Sequence, residues 1–327
     1  MSFPFNVYLA AFAAAFVTTF ASLPLWARCC VRIGLVDEPG HRKIHDRAIP
    51  LAGGLAVLTG LALPCLAAAL ALRFGWLPPN AEAAMQHGLM RRAPQLWAIL
   101  FGAFGMTTLG VLDDRHELRP LPKFAGQLFV ATVVALAGMR ITLFVPSPVF
   151  SFAVTVLWIL TLINALNFMD NMNGLCAGLG GLAAFFLALL AAADGQYLVA
   201  ALGLLITGTL VGFLPHNFPR ARAFLGDAGS HLVGYLLAVL AILPHFYTQQ
   251  KPRPLAVLTP LLVLAVPLAD LVNVVLIRTW QRKPFYVGDT NHLSHRLVRR
   301  GWSKTSAVLV IWLLAALSGA LACWINR

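Results

Sequence analysis

The chain has 327 residues, of which 59% are hydrophobic and only 11% are charged. Soluble proteins carry about 25% charged residues. The composition therefore excludes a soluble protein, including a soluble nucleic-acid-binding protein, although the net charge is +12. It indicates a polytopic membrane protein whose few charges lie in loops or at functional positions.

Ten apolar segments predict an all-α protein with about ten transmembrane helices, and residues 1–327 are expected to form a single domain. The segments are 5–27, 51–72, 96–112, 124–138, 149–166, 175–193, 197–214, 230–244, 255–277 and 305–325. Most of the 24 Lys and Arg residues lie in the odd-numbered loops between them. The positive-inside rule then places these loops in the cytoplasm and both termini outside. Most acidic residues and histidines lie in or beside the same loops, which predicts chemistry on that face.

The first odd-numbered loop, residues 34–54, is rich in basic side chains that include Lys43 and His45. Basic side chains near a helix start suit a phosphate-bearing ligand. An anchor to anionic lipid headgroups explains the same charges equally well.

The second such loop begins with Asp113 and Asp114 at the end of an apolar helix. Two adjacent carboxylates at a membrane boundary repel each other and are costly to desolvate. A divalent cation or a cationic partner would relieve that repulsion. The alternative is a solvated helix end with Arg115 and Arg119 as counterions.

The third loop carries Asn167, Asp170 and Asn171, and Asn164 lies near the end of the apolar segment before it. Unsatisfied amides in hydrocarbon are expensive, so these side chains cannot face lipid. They predict a polar cavity at the end of a broken helix.

The fourth loop contains Asp227 among Gly226, Gly229 and Ser230. Small residues at a helix start permit close approach of a phosphate, and a Mg²⁺ ion would bridge that phosphate to Asp227. The alternative is that Asp227 caps a helix that begins near Ser230.

The fifth loop carries His292 and His295, which share a face if they are helical. With Asp289 they could bind a metal, and with Arg296 they equally suit a phosphate. Asp270 lies inside the ninth apolar segment, where a carboxylate is either functional or paired with a neighbouring helix.

These segments, in this order, resemble the polyprenyl-phosphate N-acetylhexosaminyl-1-phosphate transferases, or glycosyltransferase family 4. The resemblance is carried by the aspartate pair with Lys123 and Gln127, the N-A-x-N-x-x-D-x-x-x-G-L segment from Asn164, the F-L-G-D-A-G-S segment around Asp227, and the K-P-F…D-x-x-H-L-x-H ending. It implies an enzyme that transfers a sugar-1-phosphate from a UDP-sugar to a polyprenyl phosphate, such as undecaprenyl phosphate. The reaction takes place at the cytoplasmic face of the inner membrane and releases UMP.

The resemblance also implies a cofactor and site residues. The expected cofactor is Mg²⁺, with Mn²⁺ as an alternative, and Asp227 and Asp170 are the expected ligands. Asp113 and Asp114 are the expected catalytic residues, with Asp113 favoured as base or nucleophile. The expected substrate-binding residues are Lys43, His45, Lys123, Asn164, Asn167, Asn173, Asn217, Phe224 (stacked on uracil), His292, His295 and Arg296. The lipid bilayer is the expected environment, no nucleic acid is expected, and a homodimer is one alternative for the assembly.

The sequence departs from the family pattern at two positions. Asn173 stands where the family usually has a second aspartate, and Ser294 where it usually has a histidine. The lack of three consecutive histidines favours the N-acetylhexosamine branch over the phospho-MurNAc-pentapeptide transferase of peptidoglycan synthesis. A polytopic transporter and a non-catalytic scaffold are alternatives from other functional classes. The two departures leave the identity of the transferred sugar undetermined.

Overall fold

The computed structural model describes residues 3–39, 47–76, 79–142, 145–244, 254–284 and 290–326, without the side chains of 79–92 and 254–255. Each of the ten predicted apolar segments forms a helix or a bent pair of helices, which confirms the all-α class. The helices are α1 Phe5–Ile33, α2 Gly53–Arg73, α3 Pro79–His116, α4 Pro120–Leu136, α5 Pro148–Met169, α6 Leu175–Ala193, α7 Tyr197–Asn217, α8 Gly226–Ile242, α9 Thr259–Val263, α10 Ala265–Trp280, α11 Leu293–Arg299 and α12 Lys304–Ile325.

The lengths and compositions of the helices make this a multi-pass membrane protein. In the part of the chain that the structure describes, seven helices are long and apolar enough to cross a membrane. The segment that contains α9 and α10 bends by 71° and counts as an eighth if it forms one span. Helices α4 and α8 are apolar but shorter. The count of ten spans and the outward position of both termini stay predictions.

Helix α8 lies at the centre of the bundle. Every residue from Ala228 to Ala241 is buried, whereas α1 is mostly exposed on the outside. The Tyr235 hydroxyl donates to the backbone carbonyls of Ala98 and Ile99, at 3.1 and 3.2 Å. A helix that is apolar on all sides must be covered on all sides, so α8 is packed against several neighbours along its whole length.

Two glycines let other helices approach the first turn of α8. A Cβ atom on Gly110 of α3 would lie 2.3 Å from the Ala228 Cα atom. A Cβ atom on Gly54 of α2 would lie 2.4 Å from the Gly229 nitrogen. Both distances are too short for any side chain, so glycine at these positions brings three helix backbones together beside Asp227.

The loops predicted to be cytoplasmic meet at one end of the bundle. The first and fourth loops are joined by hydrogen bonds from the Phe224 nitrogen to the Pro50 carbonyl (3.0 Å) and from the Gly53 nitrogen to the Phe224 carbonyl (2.9 Å). The first loop also forms a small antiparallel ladder in which β1 (Val36–Asp37) pairs with β2 (Ile49–Pro50). These bonds fix the backbone that surrounds the start of α8.

Candidate active site

The start of α8 is capped by a carboxylate from another helix. Gly226 has a φ of +72°, and a Cβ atom there would lie 2.7 Å from Asp114 Oδ2. The carboxylate of Asp114 accepts hydrogen bonds from the backbone nitrogens of Asp227 (2.7 Å) and Ala228 (3.1 Å). The first amides of a helix need such acceptors, and a negative charge at this end is favourable. The alternative that Asp227 caps a helix beginning near Ser230 is therefore wrong, because α8 already begins at Gly226.

Lys123 lies between two carboxylates. Its Nζ atom is 2.6 Å from Asp113 Oδ2 and 3.3 Å from Asp227 Oδ2. Asp113 is 6% exposed, and its Oδ1 atom accepts a hydrogen bond from the Leu118 nitrogen at 2.9 Å. The side chain of Asp227 is 33% exposed. Solvent therefore reaches the site at Asp227 and is largely excluded from it at Asp113.

The asparagines of α5 point toward α4 and α8. Asn167 donates hydrogen bonds to Asp227 Oδ1 and to Ser230 Oγ. Asn164 donates to Gln127 Oε1 at 2.9 Å and to the Leu160 carbonyl at 2.8 Å. The amides are thus satisfied inside the bundle, as the cost of burying them in lipid requires. Asn167 also fixes the orientation of the Asp227 carboxylate.

A further carboxylate, that of Asp170, lies at the same helix end. Desolvation raises the pKa of Asp170 well above its ordinary value, and the negative charges of Asp227 and Asp114 raise it further, while a hydrogen bond from the Gly226 backbone opposes the rise. Asp113 brings the number of neighbouring carboxylates to four. Lys123 contacts two of the four, Asp113 and Asp227, and the raised pKa of Asp170 favours its protonated, neutral form.

The described residues contain one group of side chains whose spacing suits a metal ion. One ligand atom each from Asp113, Asp227 and His231 lie within 4.8 Å of one another. The predicted ligand Asp227 belongs to this group, whereas the predicted ligand Asp170 does not. His231 was not predicted as a ligand. Its spacing of four residues from Asp227 was the available signal, since such residues share a helix face.

Several predicted substrate-binding residues stabilise the surrounding loops. Asn217 is buried, and its side chain accepts from the Gly174 nitrogen at 2.5 Å and donates to the Ala223 carbonyl at 2.9 Å. Asn173 donates to the Pro219 carbonyl at 3.1 Å. Phe224 is half-buried beside the start of α8. Lys43 and His45 lie outside the described residues, as does Asp289.

The short helix α11 is held by α10 and by the third loop. His292 Nδ1 lies 2.7 Å from Asp270 Oδ2, and the Leu293 nitrogen donates to Asp270 Oδ1 at 2.6 Å. Ser294, at the position of the missing histidine, donates to Asn171 Oδ1 at 2.6 Å. Of the two alternatives for Asp270, the structure shows pairing with a neighbouring segment.

The other two predicted residues of α11 are only partly buried. His295 and Arg296 both retain some exposure to solvent. Desolvation lowers the pKa of His295, and the neighbouring His292 and basic residues lower it further. The metal-capable group found among the described residues includes neither His292 nor His295.

The fold and the site together define a membrane-embedded protein with a cluster of carboxylates around one lysine at the end of its helices. The family model described as "Glycosyl transferase family 4" matches residues 96–245. That stretch contains Asp113, Lys123, Asn167 and Asp227. The chain belongs to this family, because the match agrees with relatives that are more than 30% identical over nearly its whole length.

Three relatives illustrate the similarity. A probable undecaprenyl-phosphate N-acetylglucosaminyl 1-phosphate transferase of Bacillus subtilis is 31% identical over 312 residues, covering 93% of this chain and 81% of the relative. A decaprenyl-phosphate N-acetylglucosaminephosphotransferase of Mycolicibacterium smegmatis is 34% identical, covering 92% and 77%. An undecaprenyl-phosphate alpha-N-acetylglucosaminyl 1-phosphate transferase of Yersinia pestis is 28% identical, covering 92% and 80%.

Proposed function

We propose that this protein transfers N-acetylglucosamine-1-phosphate from UDP-N-acetylglucosamine to a polyprenyl phosphate and releases UMP. The acceptor is undecaprenyl phosphate or a similar lipid, and the reaction takes place at the cytoplasmic face of the inner membrane. The names of the relatives support the substrates. The observation that carries the proposal is the arrangement of Asp113, Lys123 and Asp227 at the end of buried helices.

The proposal includes a divalent cation, Mg²⁺ or Mn²⁺, at this cluster. The donor set fits, because carboxylate oxygens are preferred ligands of both ions and negative charge exceeds the single lysine. Asp113 and Asp227 are the proposed protein ligands. A bound cation supplies charge neutralisation to the diphosphate. The one-third exposure of Asp227 leaves room for phosphate oxygens and water.

The roles of the remaining residues follow from their contacts. Lys123 holds Asp113 in place and presents a positive charge near the attacking lipid phosphate. Asn167 orients Asp227. Asp114 is a positioning residue, because both of its oxygens bind the start of α8. The proposed nucleotide and phosphate contacts lie in the loops around this centre, with Phe224 facing uracil and α11 supplying His292, His295 and Arg296.

We propose direct attack by the lipid phosphate on the β-phosphate of the UDP-sugar. A phosphate monoester has a second pKa near 6, so the acceptor is mostly ionised and needs positioning more than deprotonation. Asp113 is buried and salt-bridged to Lys123, which disfavours its own attack on a phosphate. Isolation of a phosphosugar covalently bound to Asp113 would overturn the direct route.

Release of UMP tests the proposed function. Purified protein in detergent, with Mg²⁺, undecaprenyl phosphate and UDP-N-acetylglucosamine, is expected to release UMP, and other UDP-sugars should give slower release. Absence of release with every sugar contradicts the proposal. The variant Asp227→Ala should lose the activity, whereas Asp194→Ala, an exposed carboxylate at the far end of α6, should keep it.

A further inference from the structure

His231 is a buried histidine that has no part in the mechanism proposed for its neighbours. It lies on α8, is 0% exposed, and its Nδ1 atom has no hydrogen-bond partner within the described residues. Buried polar atoms are almost always paired. An unpaired one beside a cluster of carboxylates therefore indicates that the ring serves a ligand.

The position of His231 matches that of a metal ligand. It lies four residues after Asp227, so both side chains leave the same face of α8. One of its ring nitrogens lies within 4.8 Å of a carboxylate oxygen of Asp227 and one of Asp113, which reaches the group from α3. Three ligands from two packed helices leave the other coordination positions of a six-coordinate ion open for phosphate oxygens and water.

The tautomer of His231 decides which ring nitrogen is free for a metal. Gln127 Oε1 accepts from Asn164 at 2.9 Å, and Gln127 Nε2 lies 3.4 Å from His231 Nε2, a contact whose direction depends on the tautomer. A metal-binding histidine is neutral, with a lone pair toward the ion and an N–H on its other nitrogen that donates to an acceptor. Metal binding through Nδ1, the nitrogen without a partner among the described residues, therefore requires the proton on Nε2 and a turn of the Gln127 amide so that its oxygen accepts from it.

We propose that His231 is the third protein ligand of the catalytic cation, beside Asp113 and Asp227. The inference rests on the proposed function only in assuming a divalent cation at this cluster. An imidazole nitrogen suits first-row transition metals, whereas Mg²⁺ is usually bound by oxygens. The site therefore binds Mn²⁺ through one nitrogen and two carboxylates, and His231 strengthens Mn²⁺ binding more than Mg²⁺ binding.

Pulsed electron paramagnetic resonance of bound Mn²⁺ tests this ligand directly. Full-length protein without a histidine tag is purified in detergent and mixed with Mn²⁺ alone. The expected spectrum shows ¹⁴N modulation from one coordinated imidazole, replaced by the ¹⁵N pattern when histidine is ¹⁵N-labelled. The variants His231→Leu and His231→Gln should lose the modulation and weaken Mn²⁺ binding about tenfold or more. The control His116→Asn, an exposed residue at the end of α3, should keep both.

The outcomes separate this inference from the proposed function. Mn²⁺ bound by the wild-type protein without nitrogen modulation overturns the role of His231 and leaves the cation site intact. This wild-type measurement requires no variant to fold. UMP release that persists in excess chelator, with no Mn²⁺ bound, removes the cation from the proposed function and contradicts the inference as well. Loss of bound Mn²⁺ in Asp227→Asn, together with an oxygen-only Mn²⁺ spectrum in His231→Leu, supports both.

Discussion

Asp113, near the end of α3, and Asp270, within α10, are both buried carboxylates, at 6% and 4% exposure. Their surroundings differ. Asp270 has one imidazole on one oxygen and one backbone amide on the other, so its neighbours satisfy it. Asp113 shares a single lysine with Asp227, so two carboxylates face one positive charge.

The difference shows that burial alone does not identify a functional carboxylate. Removing a charge from water is costly unless the charge is paired. The two hydrogen bonds to Asp270 compensate its carboxylate within the protein and hold α11 in place. The cluster around Asp113 has one lysine for two carboxylates, which is why we propose that a cation binds there.

The largest expected effect is that of Asp113→Asn. The change keeps the shape of the side chain but removes the charge that binds Lys123 and, in our proposal, the cation. We expect kcat to fall by about 10²–10⁴-fold, the usual range for loss of an electrostatic or acid–base group. The rate of UMP release at saturating substrates measures it.

A matched control for that variant is Glu117→Gln, an exposed carboxylate just beyond the end of α3. It should change kcat by less than about twofold, because an exposed charge is screened by solvent. Equal losses in Asp113→Asn and Glu117→Gln would show that general surface charge, rather than the buried cluster, supports the reaction.

Asp114→Asn tests whether a member of the cluster can act through position alone. Asparagine accepts only one of the two backbone hydrogen bonds from the start of α8. Loss of a cap costs about 0.5–2 kcal/mol, and the resulting shift of Asp227 should lower kcat by about tenfold to a hundredfold. Thermal unfolding and UMP release are measured together. A full loss of kcat with unchanged thermal stability would contradict the capping role and make Asp114 a catalytic residue.

The fold was predictable from hydropathy to a large extent, because each apolar segment became a helix. The boundaries beside the site were not. The eighth segment was expected to begin at residue 230, but α8 begins at Gly226. The cap that permits this start comes from Asp114, which is distant in the sequence, and no local pattern reveals such a partner. The bend between α9 and α10 likewise depends on packing that hydropathy does not report.

The site was predictable where residues of unusual chemistry stand in apolar sequence. Asp113, Asp227, Lys123 and Asn167 were predicted to be functional, and the structure brings them together. His231, which the structure brings beside Asp113 and Asp227, was not predicted, because a single histidine in an apolar helix is usually a core residue. The structural use of Asn217 and Ser294 was also invisible, since their partners, Gly174 and Asn171, lie in other loops.

Asp270→Asn tests the carboxylate whose two oxygens both have hydrogen-bond partners within the protein. The amide still accepts from the Leu293 nitrogen but no longer offers a negative charge to His292. Hydrogen bonds to charged groups contribute about 1.5–3 kcal/mol, so α11 should become less stable and the KM for the UDP-sugar should rise about tenfold. The value of kcat should change less than KM. A loss confined to kcat would place Asp270 in the chemical step. Asp270 would then be a catalytic carboxylate like Asp113, and not a structural one.

The smallest expected effect is that of Ser294→Ala. Ser294 is fully buried, and its hydroxyl joins α11 to Asn171 of the third loop. Loss of one neutral hydrogen bond costs about 1 kcal/mol. We expect a decrease of a few degrees in the unfolding temperature, with kcat within about twofold of wild type. Ser303→Ala, which removes an exposed helix cap at the start of α12, is the comparison for a stability effect away from the site. If Ser294→Ala abolished UMP release while leaving thermal stability unchanged, the hydroxyl would be contacting substrate. Ser294 would then replace the family histidine in the reaction itself, and not only in holding α11.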